Sequence, residues 1–179
     1  MINMKNVIVV CGLNGAGKST LGKALAEKIN CRFIDIEDIY FPKDDPDYKY
    51  SNPRPFEEVE RILSNIVSGN GSFVLASVKG NFNKDIASHF KCAIYIEAPK
   101  ETRIKRVYER SYNKFGERML EGGDLYEKEK AFLDFVKSKD ENTVEVWLSS
   151  ISCPIIRVDG TLPIENNAEL IAEKLSNQF

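Results

Sequence analysis

The chain predicts an α/β fold, a parallel β-sheet covered on both faces by helices. Short apolar runs rich in β-branched residues alternate with segments of helical period, as buried parallel strands and their covering helices do. The first such run, Val7-Ile8-Val9-Val10-Cys11, leads directly into Gly12-Leu13-Asn14-Gly15-Ala16-Gly17-Lys18-Ser19, a complete phosphate-binding loop of the pattern G-x-x-x-x-G-K-[ST]. The 179 residues, 42% of them hydrophobic, suffice for one domain with a sizeable core, and we expect a single domain over 1–179.

The first strand is Asn6 to Cys11, and the glycine-rich loop opens a helix over Lys18 to Ile29. A triphosphate concentrates negative charge, which backbone N–H groups surround only where side chains leave room. Gly12, Gly15 and Gly17 supply that room, with Asn14, Ala16 and Thr20 completing the cradle. Lys18 is placed to reach the β- and γ-phosphates, and the Ser19 hydroxyl to hold Mg²⁺. The second strand is Arg32 to Ile36, and a helix follows over Phe56 to Ser68. Phe73 to Ser77 and Cys92 to Glu97 form the third and fourth strands. Helices are expected over Lys100 to Ser111, Asp124 to Ser138 and Val144 to Ile151, then a fifth strand over Ile155 to Val158 and a last helix over Ile164 to Ser176. The crossovers between parallel strands are expected to be right-handed.

A formal net charge of -2 with both signs interspersed leaves no broad basic surface, so nucleic acid is not the expected partner. No apolar stretch approaches the ~20 residues of a membrane span, and a cytoplasmic protein is expected. Cys11, Cys31, Cys92 and Cys153 are far apart in sequence and read as small buried residues near strand ends, without zinc or disulfide spacing. The lone histidine, His89, has no evident catalytic partner.

Two long polar interruptions fall where α/β sheets bind ligands, at the carboxyl ends of strands. One is Phe41 to Pro55, within a substrate-loop region of about 38–56, with Asp44, Asp45, Asp47, Arg54, Tyr48 and Tyr50. The other, Tyr112 to Gly123, holds Gly116, Arg118 and Gly122-Gly123 and reads as a hinged lid, the whole insertion covering about 112–139. Asp124 and Glu127 are candidate caps for the helix after it. Leu125, Phe132, Phe135 and Val136 make one apolar stripe on that helix, read as packing surface.

This arrangement resembles the small P-loop kinases of the adenylate kinase and shikimate kinase type. The resemblance implies a three-layer P-loop NTPase fold with a five-stranded parallel sheet, a helical lid, and ATP and Mg²⁺ as cofactors. Beyond the phosphate loop it rests on Glu97-Ala-Pro-Lys-Glu-Thr-Arg-Ile-Lys-Arg-Val-Tyr-Glu-Arg110, similar to the strand and arginine-bearing helix that enter the lid. It implies Arg106 beside adenine, Arg110 on the phosphates and Arg118 as a further lid contact, while a solvated helix face accounts for Arg103 and Lys105. Val158-Asp159-Gly160-Thr161-Leu162-Pro163 resembles the loop that covers the adenine base, with Leu162 the candidate contact; a plain turn explains it equally.

On the acceptor side, Asp35-Ile36-Glu37-Asp38 is similar to the Asp-x-Asp of shikimate kinase with Glu37 in the second place. The resemblance puts Asp35 on the Mg²⁺ side and Glu37 or Asp38 on the acceptor; strand alternation aims Asp35 and Glu37 one way and Asp38 the other. After the third strand, Ala76-Ser77-Val78-Lys79-Gly80-Asn81 lacks the arginine that adenylate kinase uses for a mononucleotide phosphate. The expected activity is therefore transfer of the γ-phosphoryl group of ATP to a hydroxyl of a small molecule. An ATP-hydrolysing switch, a nucleoside monophosphate kinase and a nucleotide-binding regulator are the alternatives. The first wants an acid at the end of the third strand, which Phe73-Val74-Leu75-Ala76-Ser77 lacks. A GTPase is disfavoured because Asn113-Lys114-Phe115-Gly116 lacks the guanine-reading aspartate. Sugars, nucleosides, shikimate-like acids and antibiotics stay open as acceptors, and the oligomeric state is not legible.

Overall fold

A computed structural model describes residues 6–69 and 71–178; residues 1–5, 70 and 179 of the expected single domain lie outside the described residues. The strands are β1 (Val7–Cys11), β2 (Arg32–Asp35), β3 (Phe73–Ala76), β4 (Phe90–Glu97) and β5 (Ile155–Asp159). They form one sheet in the order β2-β3-β1-β4-β5, every neighbouring pair parallel. β1 lies at the centre and is buried along its whole length, which is why it reads as a continuous apolar run rather than an alternating one.

The helices are α1 (Lys18–Lys28), α2 (Ile36–Tyr40), α3 (Phe56–Ser68), α4 (Lys84–Ala87), α5 (Lys100–Phe115), α6 (Tyr126–Ser138), α7 (Thr143–Leu148) and α8 (Ile164–Gln178). Strand alternation sorts the core into two layers. Val7, Val9, Leu75 and Tyr95 face Ile39 of α2, Leu63 of α3, Ile86 of α4 and Trp147 of α7. Ile8, Val10, Val74 and Ile94 face Leu21 and Leu25 of α1 and Ile171 of α8. Helices thus cover both faces of a five-stranded parallel sheet, the three-layer α/β fold expected. Among the described residues no helix is long and apolar enough to cross a membrane.

The elements expected from sequence are all present, with shifted ends and additions. β2 stops at Asp35, one residue early, because the Asp35 carboxylate accepts the Glu37 N–H and starts the short helix α2. α5 continues to Phe115 and takes in the first residues of the expected lid loop, which then tightens into a 3-10 turn over Gly116–Met119. α6 begins at Tyr126 with no side-chain cap; Asp124, the candidate cap, is held instead by Arg118.

Candidate active site

All five strands run the same way, so their carboxyl ends share one edge, where loop backbone is free to meet a ligand. The segment after β1 wraps tightly there. Gly15 has φ 84°, and a Cβ on it would collide with the Arg103 carbonyl, so only glycine brings this turn so close to α5. α1 begins at Lys18, with the N-terminal end of the helix behind the loop. The Lys18 ammonium donates to the Leu13 carbonyl at 3.2 Å, across the loop. Burial pulls its pKa down to about 8, while the Glu37 and Asp35 carboxylates oppose that shift and Arg110 and Lys139 add to it.

Ser19 donates from its hydroxyl to Asp35 Oδ2 at 2.5 Å, and the other Asp35 oxygen accepts the Glu37 N–H at 3.0 Å. Asp35 thus caps α2 and touches the phosphate loop at once. A cavity of about 200 Å³ lies against this pair, lined among others by Asn14, Lys18, Ser19, Thr20, Glu37, Arg106 and Arg110. Glu37 and Asp38 stand on a helix, which turns about 100° per residue, so strand alternation does not set their directions. Glu37 reaches the cavity, whereas Asp38 is drawn out to Lys49, 3.1 Å away, and lines neither the phosphate cavity nor its neighbour.

The arginines of α5 separate into three situations. Arg106 donates to the Gly160 carbonyl at 2.9 Å and to the Gly15 and Ala16 carbonyls at 3.4 Å, tying the loop after β5 to the phosphate loop. Arg110 is exposed and lines the phosphate cavity directly. Arg103, expected on a solvated face, is buried: it donates to the Ala98 carbonyl at 3.0 Å, to the Asn14 carbonyl at 3.4 Å and to Glu141. Its place three residues before Arg106, one helical turn away, was the sequence signal that the two share a face. Lys105 is exposed as expected. Arg118 lines neither the phosphate cavity nor its neighbour; its guanidinium forms a two-point pair with Asp124 at 3.0 and 2.7 Å. Leu162 is half exposed in the turn after β5, its N–H bonded to the Asp159 carbonyl.

A second cavity of about 510 Å³ adjoins the first and shares Asn14 and Glu37 with it. Its other walls are Phe41, Tyr48, Tyr50 and Ser51 from the loop after α2 and Lys128, Phe132 and Phe135 from α6. The expected apolar stripe therefore divides: Leu125, just before α6, and Val136 pack into the protein, but Phe132 and Phe135 line this space. Lys139, at the end of α6, donates to Asn14 Oδ1 at 3.3 Å and brings a cation to the phosphate loop that no motif announced.

Mg²⁺ prefers oxygen ligands and keeps several waters. The Ser19 hydroxyl and Asp35 carboxylate form an oxygen pair beside the loop that suits it. At the end of β3, where a hydrolytic switch carries an acid, Ser77 donates to the Lys79 carbonyl and no carboxylate stands.

The sheet order, the phosphate loop and the paired cavities define a small P-loop kinase. Residues 8–131 match the family described as AAA domain, and the chain belongs to that family. It is 24% identical over 182 residues to the uncharacterized protein YqaC of Bacillus subtilis, covering 97% of this chain and 99% of that one. A shikimate kinase of Enterococcus faecalis is 32% identical over 114 residues, spanning 59% of this chain and 67% of that enzyme. The structure of a shikimate kinase from Acinetobacter baumannii in complex with shikimate superimposes with a TM-score of 0.58 at 16% identity, covering 99% of this chain and 97% of that one. The protein is a small-molecule kinase.

Proposed function

We propose that the acceptor is a hydroxyl compound seated in the larger cavity and that Glu37 meets its hydroxyl. The observation that carries this reading is that the two cavities share Asn14 and Glu37, so a phosphate in one and an acceptor in the other meet at those residues. The acceptor oxygen attacks the γ-phosphorus and gives its proton to Glu37, the bond from the γ-phosphorus to the β,γ-bridging oxygen breaks, and ADP leaves with that electron pair. Gly15 and Gly17 offer their N–H groups to the phosphates, Gly12 and Ala16 shape the loop through N–H bonds to the Val78 and Leu13 carbonyls, Lys18 and Arg110 stabilise charge on the transferring group, and Thr20 extends the cradle along α1. Arg106 holds the adenine-side loop against the phosphate loop, with Leu162 at its rim. Ser19 and Asp35 would hold Mg²⁺, which when bound would neutralise charge on the phosphates. Residues 112–139 close over the site and exclude water, and Arg118 enters only on that closure. The reaction belongs in the cytoplasm, consistent with four free cysteines.

The test is ADP formation from Mg-ATP across a panel of hydroxyl compounds and nucleoside monophosphates, with Lys18→Ala as the control. Turnover that rises with a hydroxyl acceptor and vanishes in the variant supports the reading. Steady hydrolysis indifferent to every acceptor sinks it.

A further inference from the structure

The larger cavity is chemically unlike a site for a polar acid. Aromatic rings make most of its wall, and they order one another: Phe41 meets Tyr50 edge-on at 5.1 Å, Tyr48 meets Tyr50 edge-on at 5.6 Å, and Tyr50 lies stacked on Phe132 at 6.0 Å with 12° between planes. Phe135 completes the lining and is 55% exposed, with the Lys139 ammonium 4.7 Å from the centre of its ring. Such a wall gains most from a flat, unsaturated ring, which stacks on it and covers its apolar surface.

Charge narrows the class further. An anionic acceptor needs a guanidinium fork or paired cations. No arginine stands among the described lining residues, and the lysines about the wall are already engaged, Lys128 with its ammonium 5.1 Å from the centre of the Tyr48 ring and Lys139, outside the lining, bonded to Asn14 Oδ1 and 4.7 Å from the centre of the Phe135 ring, while Glu37 places a carboxylate at the phosphate end. A cationic acceptor meets the opposite obstacle, because Lys49 and Lys114 also sit over Tyr50, at 5.7 and 5.3 Å, alongside Lys128 over Tyr48. Ammonium groups thus already stand against these tyrosine rings.

We infer that the phosphoryl acceptor is an uncharged alcohol carrying a planar aromatic or heteroaromatic ring, the ring lying among Tyr50, Phe132 and Phe135 and the hydroxyl beside Glu37. This rests on the phosphotransfer reading above and adds the chemical class of the acceptor. It separates the chain from its shikimate kinase relatives, whose substrate is an anionic polyol.

The experiment compares initial rates of ADP formation with two sets of acceptors. One set is neutral and ring-bearing: uridine, adenosine, hydroxymethylpyridines and hydroxymethylphenols. The other is anionic: shikimate and gluconate. Ligand-observed NMR of the same compounds, with a non-hydrolysable ATP analogue present, reports binding independently of turnover. We expect a ring-bearing alcohol to bind and to stimulate turnover. Phe135→Ala and the volume-conserving Phe132→Leu are each expected to raise its KM about tenfold while KM for ATP stays within about twofold. Preferential turnover of shikimate or gluconate overturns the inference and leaves the kinase reading standing. Hydrolysis indifferent to every acceptor and lost in Lys18→Ala overturns both. Silence of the whole ring-bearing set in rate and in NMR overturns the inference, as does an aromatic substrate whose KM ignores both phenylalanine substitutions.

Discussion

The phenol of Tyr48 donates to the carboxylate of Glu129 at 2.7 Å, and both side chains are buried. This bond joins the loop after α2 to α6, across 81 residues of sequence, and Tyr48 also packs on Phe115 at the end of α5. Burial and the Glu129 carboxylate together push the Tyr48 pKa well up, so the phenol stays a donor throughout the working pH range. The two walls of the larger cavity are thereby fastened to each other.

Removing the phenol strands a buried carboxylate. Tyr48→Phe is expected to cost about 3 kcal/mol in chemical denaturation. Combining it with Glu129→Leu is expected to cost less than the two separate losses together, with a coupling of about 1–3 kcal/mol. Strict additivity of the two losses means the bond is absent in solution.

Asp35 caps α2, and in the proposed reaction it also ligates Mg²⁺, two roles that one substitution separates. Asparagine still caps α2, because it too accepts a backbone N–H, but it carries no charge toward Mg²⁺. Asp35→Asn is expected to lower kcat by about 10²-fold or more with the ATP Kd within about threefold, and Glu37→Gln by about 10²–10⁴-fold. A parental transfer rate in either variant removes the role given to that residue.

The depressed Lys18 pKa gives ATP binding a definite pH dependence. In the free protein Lys18 loses its proton as pH rises through about 8. Bound phosphates favour the ammonium, so binding above that pH takes up a proton. The ATP Kd is expected to be flat below pH 8 and to weaken toward about tenfold per pH unit above it. Calorimetry in two buffers of different ionisation enthalpy detects the uptake directly. Lys18→Arg is expected to abolish the slope, and a flat profile for the parent from pH 7 to 9.5 contradicts the assignment.

Gly160 is pinned between two backbones. A Cβ there would lie 2.8 Å from the carbonyl oxygens of both Ala16 and Glu97, and neither can rotate away. Gly160→Ala is expected to displace the phosphate loop and weaken ATP binding about tenfold, or about 1.4 kcal/mol. An unchanged ATP affinity would show that the two loops are mechanically independent.

Burial raises the Cys11 and Cys92 thiols to about 12, leaving almost no thiolate near neutrality. Iodoacetamide at pH 8 is expected to spare both in the native protein and to modify both in denaturant, as counted by mass spectrometry. Rapid native modification of either places it at the surface.

Periodicity and motif chemistry are local properties, and they were enough for the five strands, the main helices and the phosphate loop. A buried parallel strand such as Val7–Cys11 declares itself by unbroken apolarity, and Gly12 to Ser19 by the rarity of its spacing. The two shortest helices were illegible: α2 depends on one capping carboxylate, and α4 is a single turn. Arg103 and Phe135 were misassigned because helical position reveals that residues share a face, not what that face meets.

The chain order of residue types therefore settled the fold class and the phosphate chemistry, since both follow from patterns within about twenty residues. The larger cavity and the recruitment of Lys139 to Asn14 were decided only when α6 closed on the loop after α2. Those contacts join segments more than 75 residues apart, as Tyr48 to Glu129 and Tyr50 to Phe132 show. Their pairing is chosen by packing and charge in three dimensions, which leave no periodic mark on the sequence.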